Sequence, residues 1–118
     1  MSKQIEIIPD LIGEEISAVC FVCDYVEFHF NGVILRSLTN PTILVNGDTF
    51  NFPERGSRDA LCKTIGSKVR ALDLTESKSL KLITTNHCEL TIPLDFANLR
   101  GPEAMNFLPS VGGPVQVW

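Results

Sequence analysis

The chain has 118 residues, of which 44% are hydrophobic and 20% are charged, and its formal net charge is −4. This length fits one domain, and this hydrophobic content excludes intrinsic disorder. The excess of acidic residues argues against direct nucleic-acid binding, which normally relies on a basic surface.

The sequence shows no targeting or membrane signal. The longest unbroken apolar run covers only residues 18–23, far fewer than the roughly 20 residues that span a bilayer. Residues 1–10 lack the apolar core that secretion signals carry. We therefore expect a cytoplasmic protein that has no membrane partner.

Acidic residues are concentrated in the first quarter of the chain. The charges of residues 1–31 sum to −5, whereas those of residues 53–81 sum to +3. An acidic segment of this kind attracts a basic partner, although a solvated polar surface has the same composition. The candidate protein-binding residues are Glu14, Glu15, Asp24 and Glu27.

A β-hairpin is the clearest predicted element of the first half. Residues 25–30 alternate apolar and polar side chains, and residues 33–38 return after the Asn-Gly pair at 31–32. An Asn-Gly pair between alternating segments is a strong signal for a two-residue turn. The resulting register places Glu27 opposite Arg36, an oppositely charged cross-strand pair.

A second hairpin is predicted over 43–52, with its turn at 46–48. The clearest helix signal covers 58–65, with Ser57 as the N-cap and Gly66 at the C-terminal end. The side chains expected on the buried face of this helix are Ala60, Leu61, Thr64 and Ile65. The remaining predicted elements are a strand at 69–74, a hairpin of 79–84 with 88–94 that places Leu82 opposite Leu90, a short helix within 102–108, a break at 112–114 and a last strand at 115–118.

A weak internal repeat relates residues 12–38 to residues 65–94. Residues 12–16 and 65–69 align around a glycine, and each copy continues with a strand and a hairpin. We therefore predict one β-rich α+β domain over residues 1–118. It would contain seven to nine strands in an antiparallel sheet or half-barrel, built from two similar meanders with one or two short helices.

Cysteine spacing gives little support for metal or redox chemistry. Cys20 and Cys23 form a C-x-x-C pair between strand-like segments, and no second pair exists that would complete a zinc site. These two residues, together with Cys62 and Cys88, are expected to be buried reduced thiols. We expect no metal and no cofactor.

Two histidines, His29 and His87, leave an enzymatic alternative open, in which they act as general acid and base. The sequence contains no serine-nucleophile, phosphate-loop or dinucleotide motif. We therefore expect a non-enzymatic protein and assign no catalytic residue. A structural or oligomerising β-module is the other alternative, because hairpins leave sheet edges that pair between subunits.

The second half of the chain carries a resemblance to a known class of proteins. Its pattern is Val69, Leu80-x-Leu82, Leu90-x-Ile92, Pro102-Glu103-Ala104 and Gly112-Gly113-Pro114-Val115-Gln-Val-Trp118. It resembles small, uncharacterised β-rich bacterial domains that look like immunity proteins of toxin systems, including contact-dependent growth inhibition. The resemblance implies a cytoplasmic protein that binds one cognate toxin and blocks its active site. It assigns no binding residues.

Overall fold

The computed structural model describes residues 11–108 and 115–118. Ten strands in these residues form two antiparallel sheets of five strands each. The predicted β-rich α+β class is confirmed, and the two sheets do not close into a barrel. The predicted break at 112–114 lies outside the described residues.

The first sheet has the strand order β1-β2-β3-β9-β10. Its strands are β1 (Ala18–Val22), β2 (Tyr25–Phe30), β3 (Val33–Ser37), β9 (Met105–Leu108) and β10 (Gln116–Val117). The second sheet has the order β5-β4-β8-β7-β6. Its strands are β4 (Thr42–Val45), β5 (Asp48–Asn51), β6 (Val69–Thr75), β7 (Ser79–Thr84) and β8 (Glu89–Pro93).

One hydrophobic core is shared by the two sheets. The inward side chains of the central strands are almost completely buried, because successive residues of a strand point to opposite faces and every second one is apolar. The first sheet contributes Val26, Phe28, Phe30, Leu35 and Phe107, and the second contributes Ile43, Leu80, Leu82, Leu90 and Ile92. The helix α1 (Ser57–Cys62) packs against β4, β5 and β1.

All three predicted hairpins are present. In the first, Glu27 pairs with Arg36, as the Asn-Gly turn predicts. In the second, Asp48 already belongs to β5, so the turn contains only residues 46 and 47 rather than three residues. In the third, Leu82 lies opposite Leu90, as predicted.

The helix predicted over 58–65 is shorter than expected. It ends at Cys62, and Gly56 rather than Ser57 occupies the N-cap position. Ser57 instead points inward and is fully buried. Because the chain leaves the helix after Cys62, Ile65 falls out of the helical phase and is 44% exposed, contrary to prediction. The other three predicted inner residues are buried.

The prediction of a short helix within 102–108 is wrong. Met105–Leu108 is the strand β9, and its residues pair with β3, from Ser37 opposite Met105 to Ile34 opposite Leu108. Sequence-distant pairing overrides the local helical pattern here, because a strand position depends on its neighbours across the sheet more than on intrinsic preference.

The two copies of the repeat meet through reciprocal backbone hydrogen bonds. Gly13 N–H donates to Val69 O at 2.8 Å, and Gly66 N–H donates to Ile16 O, also at 2.8 Å. Both glycines have a left-handed backbone, with φ of 90° and 89°. Each copy therefore makes with the other the same hydrogen bond that it receives, which is the pattern of an approximate two-fold axis.

The strand orders of the two sheets follow the same correspondence between the halves. It matches β1 with β6, β2 with β7, β3 with β8, β4 with β9 and β5 with β10. Each half contributes a three-stranded meander to one sheet, and its following hairpin joins the other sheet. The halves are thus held together by an exchange of hairpins.

No helix within residues 11–108 and 115–118 has the length and apolar character required to cross a membrane.

Candidate protein-binding surface

The acidic pair Glu14 and Glu15 lies at the two-fold contact between the halves. Glu14 O accepts a hydrogen bond from Val69 N–H at 2.9 Å, and Glu15 forms an isolated β-bridge with Lys68. Both glutamates are exposed. Because their backbone is fixed by this pairing, the two carboxylates are presented to solvent from an ordered segment.

Asp24 lies at the other end of β1, in the turn that leads to β2. Its side chain is exposed, and its carbonyl oxygen accepts a hydrogen bond from Arg100 Nη2 at 2.7 Å. Asp24 is therefore separated from Glu14 and Glu15 by the length of β1. The acidic surface has two sites rather than one continuous cluster.

Glu27 differs from the other three candidate residues because its carboxylate already has intramolecular partners. Its Oε2 accepts a hydrogen bond from Arg36 Nε at 2.9 Å, and its Oε1 lies 3.2 Å from His29 Nε2. Only 13% of its side chain is exposed. Arg36 also lies over the ring of Tyr25, 5.5 Å from the ring centre. These contacts leave Glu27 little freedom to meet a partner.

One histidine lies in a strand of the first sheet and the other in a turn of the second. His29 is on the outer face of β2 beside Glu27, whereas His87 is exposed in the turn between β7 and β8. The Glu27–His29 contact has the residue types of a carboxylate that orients a general base. That carboxylate also binds Arg36, and the contacts of His29 do not include His87.

All four cysteines are free thiols, but the expectation that they are buried is wrong for two of them. Cys88 is buried and Cys20 is half-buried, whereas Cys23 and Cys62 are exposed. Cys23 occupies the β1–β2 turn, and Cys62 is the last residue of the helix. Desolvation by partial burial, and secondarily the charge of Asp59, raise the pKa of the Cys62 thiol. It therefore carries less thiolate at neutral pH than an ordinary cysteine.

A cavity of about 400 Å³ opens between the β4–β5 hairpin and α1. Its lining includes Phe50, the acidic residues Asp48 and Asp59, and Lys63. This volume lies within the range of small-molecule sites, roughly 300–1,000 Å³. The predicted acidic residues and histidines do not line it, so the cavity is separate from the predicted surface.

A functional candidate that sequence reasoning missed is Phe96, in the connection between β8 and β9. It lies in a 3-10 helix, Phe96–Asn98, and its side chain is 89% exposed. Phe28 and Phe107, by contrast, are strand residues whose rings are buried in the core. No signal in the sequence indicates the exposure of Phe96, because the predicted repeat ends at residue 94, where this connection begins.

No group of three or more His, Cys, Asp or Glu side chains in the described part of the chain is arranged to hold a metal ion. Comparison with known proteins gives no match. No family model fits the sequence, and no curated protein and no solved structure is significantly similar. The resemblance to immunity proteins therefore stays a prediction from the residue pattern.

Proposed function

We propose that the chain is a non-enzymatic protein-binding domain. In its specific form, the proposal is an immunity protein that binds and neutralises a cognate bacterial toxin in the cytoplasm. The observation that carries this proposal is the exposure of Glu14, Glu15 and Asp24, all from the acidic first quarter of the chain. No cofactor, membrane or direct nucleic-acid contact is part of the proposal.

Electrostatics explains why an acidic surface suits this task. An enzyme that cleaves nucleic acid needs a basic surface to hold the phosphate backbone. An acidic inhibitor is steered towards such a surface and opposes its charge when bound. Because the Glu27 carboxylate is already paired with Arg36, we assign it to the stability of the first sheet and the binding role to the other three acids.

Co-expression tests the proposed function directly. The chain is produced together with the polypeptide encoded immediately upstream of it, and both retention and toxicity are measured. We expect retention of a basic protein at nanomolar affinity, together with loss of its toxicity. If neither co-expression nor capture from native cells retains a protein, the proposal fails.

Charge reversal at the two-fold contact tests the acidic surface itself. Replacing Glu14 and Glu15 with lysine should slow association with the captured protein by about tenfold at low salt and reduce the salt dependence of the association rate. The measurement is stopped-flow or surface-based kinetics at several salt concentrations.

The matched control is Glu54→Lys with Glu76→Lys, which gives the same change in net charge at two other exposed carboxylates. It should affect association only weakly. If both double variants slow association equally, net charge rather than the Glu14–Glu15 site steers the partner.

A further inference from the structure

The two-fold relation between the halves is broken at one connection. Between β3 and β4 the chain needs only residues 38–41, whereas between the equivalent strands β8 and β9 it uses residues 94–104. The shorter connection shows that this crossing between sheets needs only four residues. The added length in the second half is therefore not required by the fold.

The tip of this longer connection is ordered by its own hydrogen bonds. Asn98 Nδ2 donates to both carboxylate oxygens of Asp95, at 2.8 and 2.9 Å. Asn98 N–H also donates to Asp95 O at 3.1 Å, and Leu99 N–H donates to Phe96 O at 3.2 Å. The backbone that carries Phe96 is consequently fixed before any partner arrives, which lowers the entropy cost of binding.

Arg100 fastens the same connection to the body of the protein. Its Nη1 donates to Asn40 Oδ1 at 2.5 Å, and its Nη2 donates to Leu38 O at 2.6 Å and to Asp24 O at 2.7 Å. The long connection is thereby joined to its short counterpart and to the β1–β2 turn. Asp24, a member of the acidic surface, lies beside it.

Phe96 is the most exposed large hydrophobic residue among those described. Its exposed fraction is 89%, whereas the next, Val115, is 53% exposed. A rigid aromatic side chain that projects from an ordered turn is the kind of residue that fills a pocket on a partner protein. Binding of another molecule over the Phe96 ring would remove most of that ring from water.

The charges around Phe96 indicate what covers it. Asp95 and Glu103 lie on the same connection, and Asp24 is joined to it through Arg100. These three carboxylates outnumber the two cations that the structure places at the connection, which are Arg100 and Lys78, whose carbonyl oxygen accepts a hydrogen bond from Leu94 N–H. The connection that carries the exposed ring therefore has an excess of acidic groups, which favours a basic partner over an anionic lipid surface.

We infer that the 94–104 connection is a docking element whose anchor, Phe96, enters an apolar pocket on a basic partner protein. Cations at the rim of that pocket face Asp24 and Asp95. This inference rests on the proposed protein-binding function. It identifies the contact that sets the dissociation rate of the complex. The acidic surface steers the partner, and Phe96 slows its release.

Site-specific photo-crosslinking in native cells tests the contact. A p-benzoylphenylalanine replaces Phe96 in one variant of the full chain and Ile65, which is 44% exposed, in the control variant. Illumination should join position 96, but not position 65, to one basic protein. Adducts only with a second copy of the chain, adducts only with lipid, or no adduct at position 96 would each overturn the inference.

Binding of the purified cross-linked protein then measures the contribution of the ring. Phe96→Ala should weaken binding at least tenfold, mainly through faster dissociation, and Phe96→Leu should retain part of the affinity. Ile65→Ala should change the affinity less than twofold. The melting temperature of Phe96→Ala should match that of the unaltered protein because the ring is exposed, so reduced binding reports the contact and not misfolding.

The outcomes separate this inference from the proposed function. If position 96 joins a basic protein that is not a toxin, the docking element stands and the immunity proposal fails. If a toxin is neutralised but binds Phe96→Ala as tightly as the unaltered chain, the immunity proposal stands and the docking inference fails.

Discussion

The Glu27 carboxylate is a candidate binding group that we assign to the stability of the first sheet instead. The hairpin register places it opposite Arg36, and the two side chains form an ion pair that is only partly exposed. The guanidinium also lies over Tyr25 on the same face. Because both partners are shielded from water, this pair should contribute more to stability than a typical exposed pair does.

A double-mutant cycle of Glu27→Gln and Arg36→Met measures this contribution. We expect a coupling of about 1 kcal/mol in the free energy of unfolding, since each single variant leaves the other group without its charged partner. Urea denaturation gives the four values needed. Lys81→Met, at an exposed position of β7, is the control and should change stability by less than about 0.5 kcal/mol. A coupling indistinguishable from zero would contradict the expected role of the pair.

At the scale of elements, local signals predicted the hairpins because each strand alternates and each turn is short. The first and third hairpins have the predicted registers. The prediction of a helix within 102–108 was wrong because β9 forms by pairing with β3, which lies about seventy residues earlier in the chain. The pairing partner of such a strand is not encoded in its own residues.

The two glycines at the two-fold contact lead to a prediction about the cost of a side chain on a left-handed backbone. Gly13 and Gly66 have nearly identical left-handed backbones, and no atom lies close enough to obstruct an added Cβ. Gly13→Ala and Gly66→Ala should therefore each lower the free energy of unfolding by about 1 kcal/mol through backbone strain alone.

The control for this pair is Gly101→Ala, since Gly101 also has open space around it but does not have a left-handed backbone. Its effect should be near zero or slightly stabilising. Thermal denaturation of the three variants checks the comparison. Clearly unequal losses for Gly13→Ala and Gly66→Ala would show that the two contacts are not energetically equivalent.

The candidate site was only partly predictable, because exposure is decided by the whole molecule. The sequence indicates the charges of Glu14, Glu15 and Asp24, and the structure places all three in contact with solvent. The sequence also predicted the Glu27–Arg36 pair, although it placed Glu27 among the binding residues. The exposure of Phe96 was missed, because it depends on the path of a connection between two sheets.

At the scale of the whole molecule, the exchange of hairpins should make unfolding cooperative. Neither sheet is complete without strands from both halves of the chain, so opening one sheet removes partners from the other. Native-state hydrogen exchange should give the same free energy of opening for amides of β2 and β3 as for amides of β7 and β8. A separate opening of one sheet at clearly lower free energy would refute this expectation.

The exchange of hairpins also has a consequence during protein synthesis. The ribosome makes β3 about seventy residues before β9, the strand that covers its edge. Until then, the nascent polypeptide presents an unpaired strand edge, which is the feature most prone to wrong pairing between chains. Ending the chain before Met105 would therefore leave a defect in the sheet that contains β1, β2 and β3.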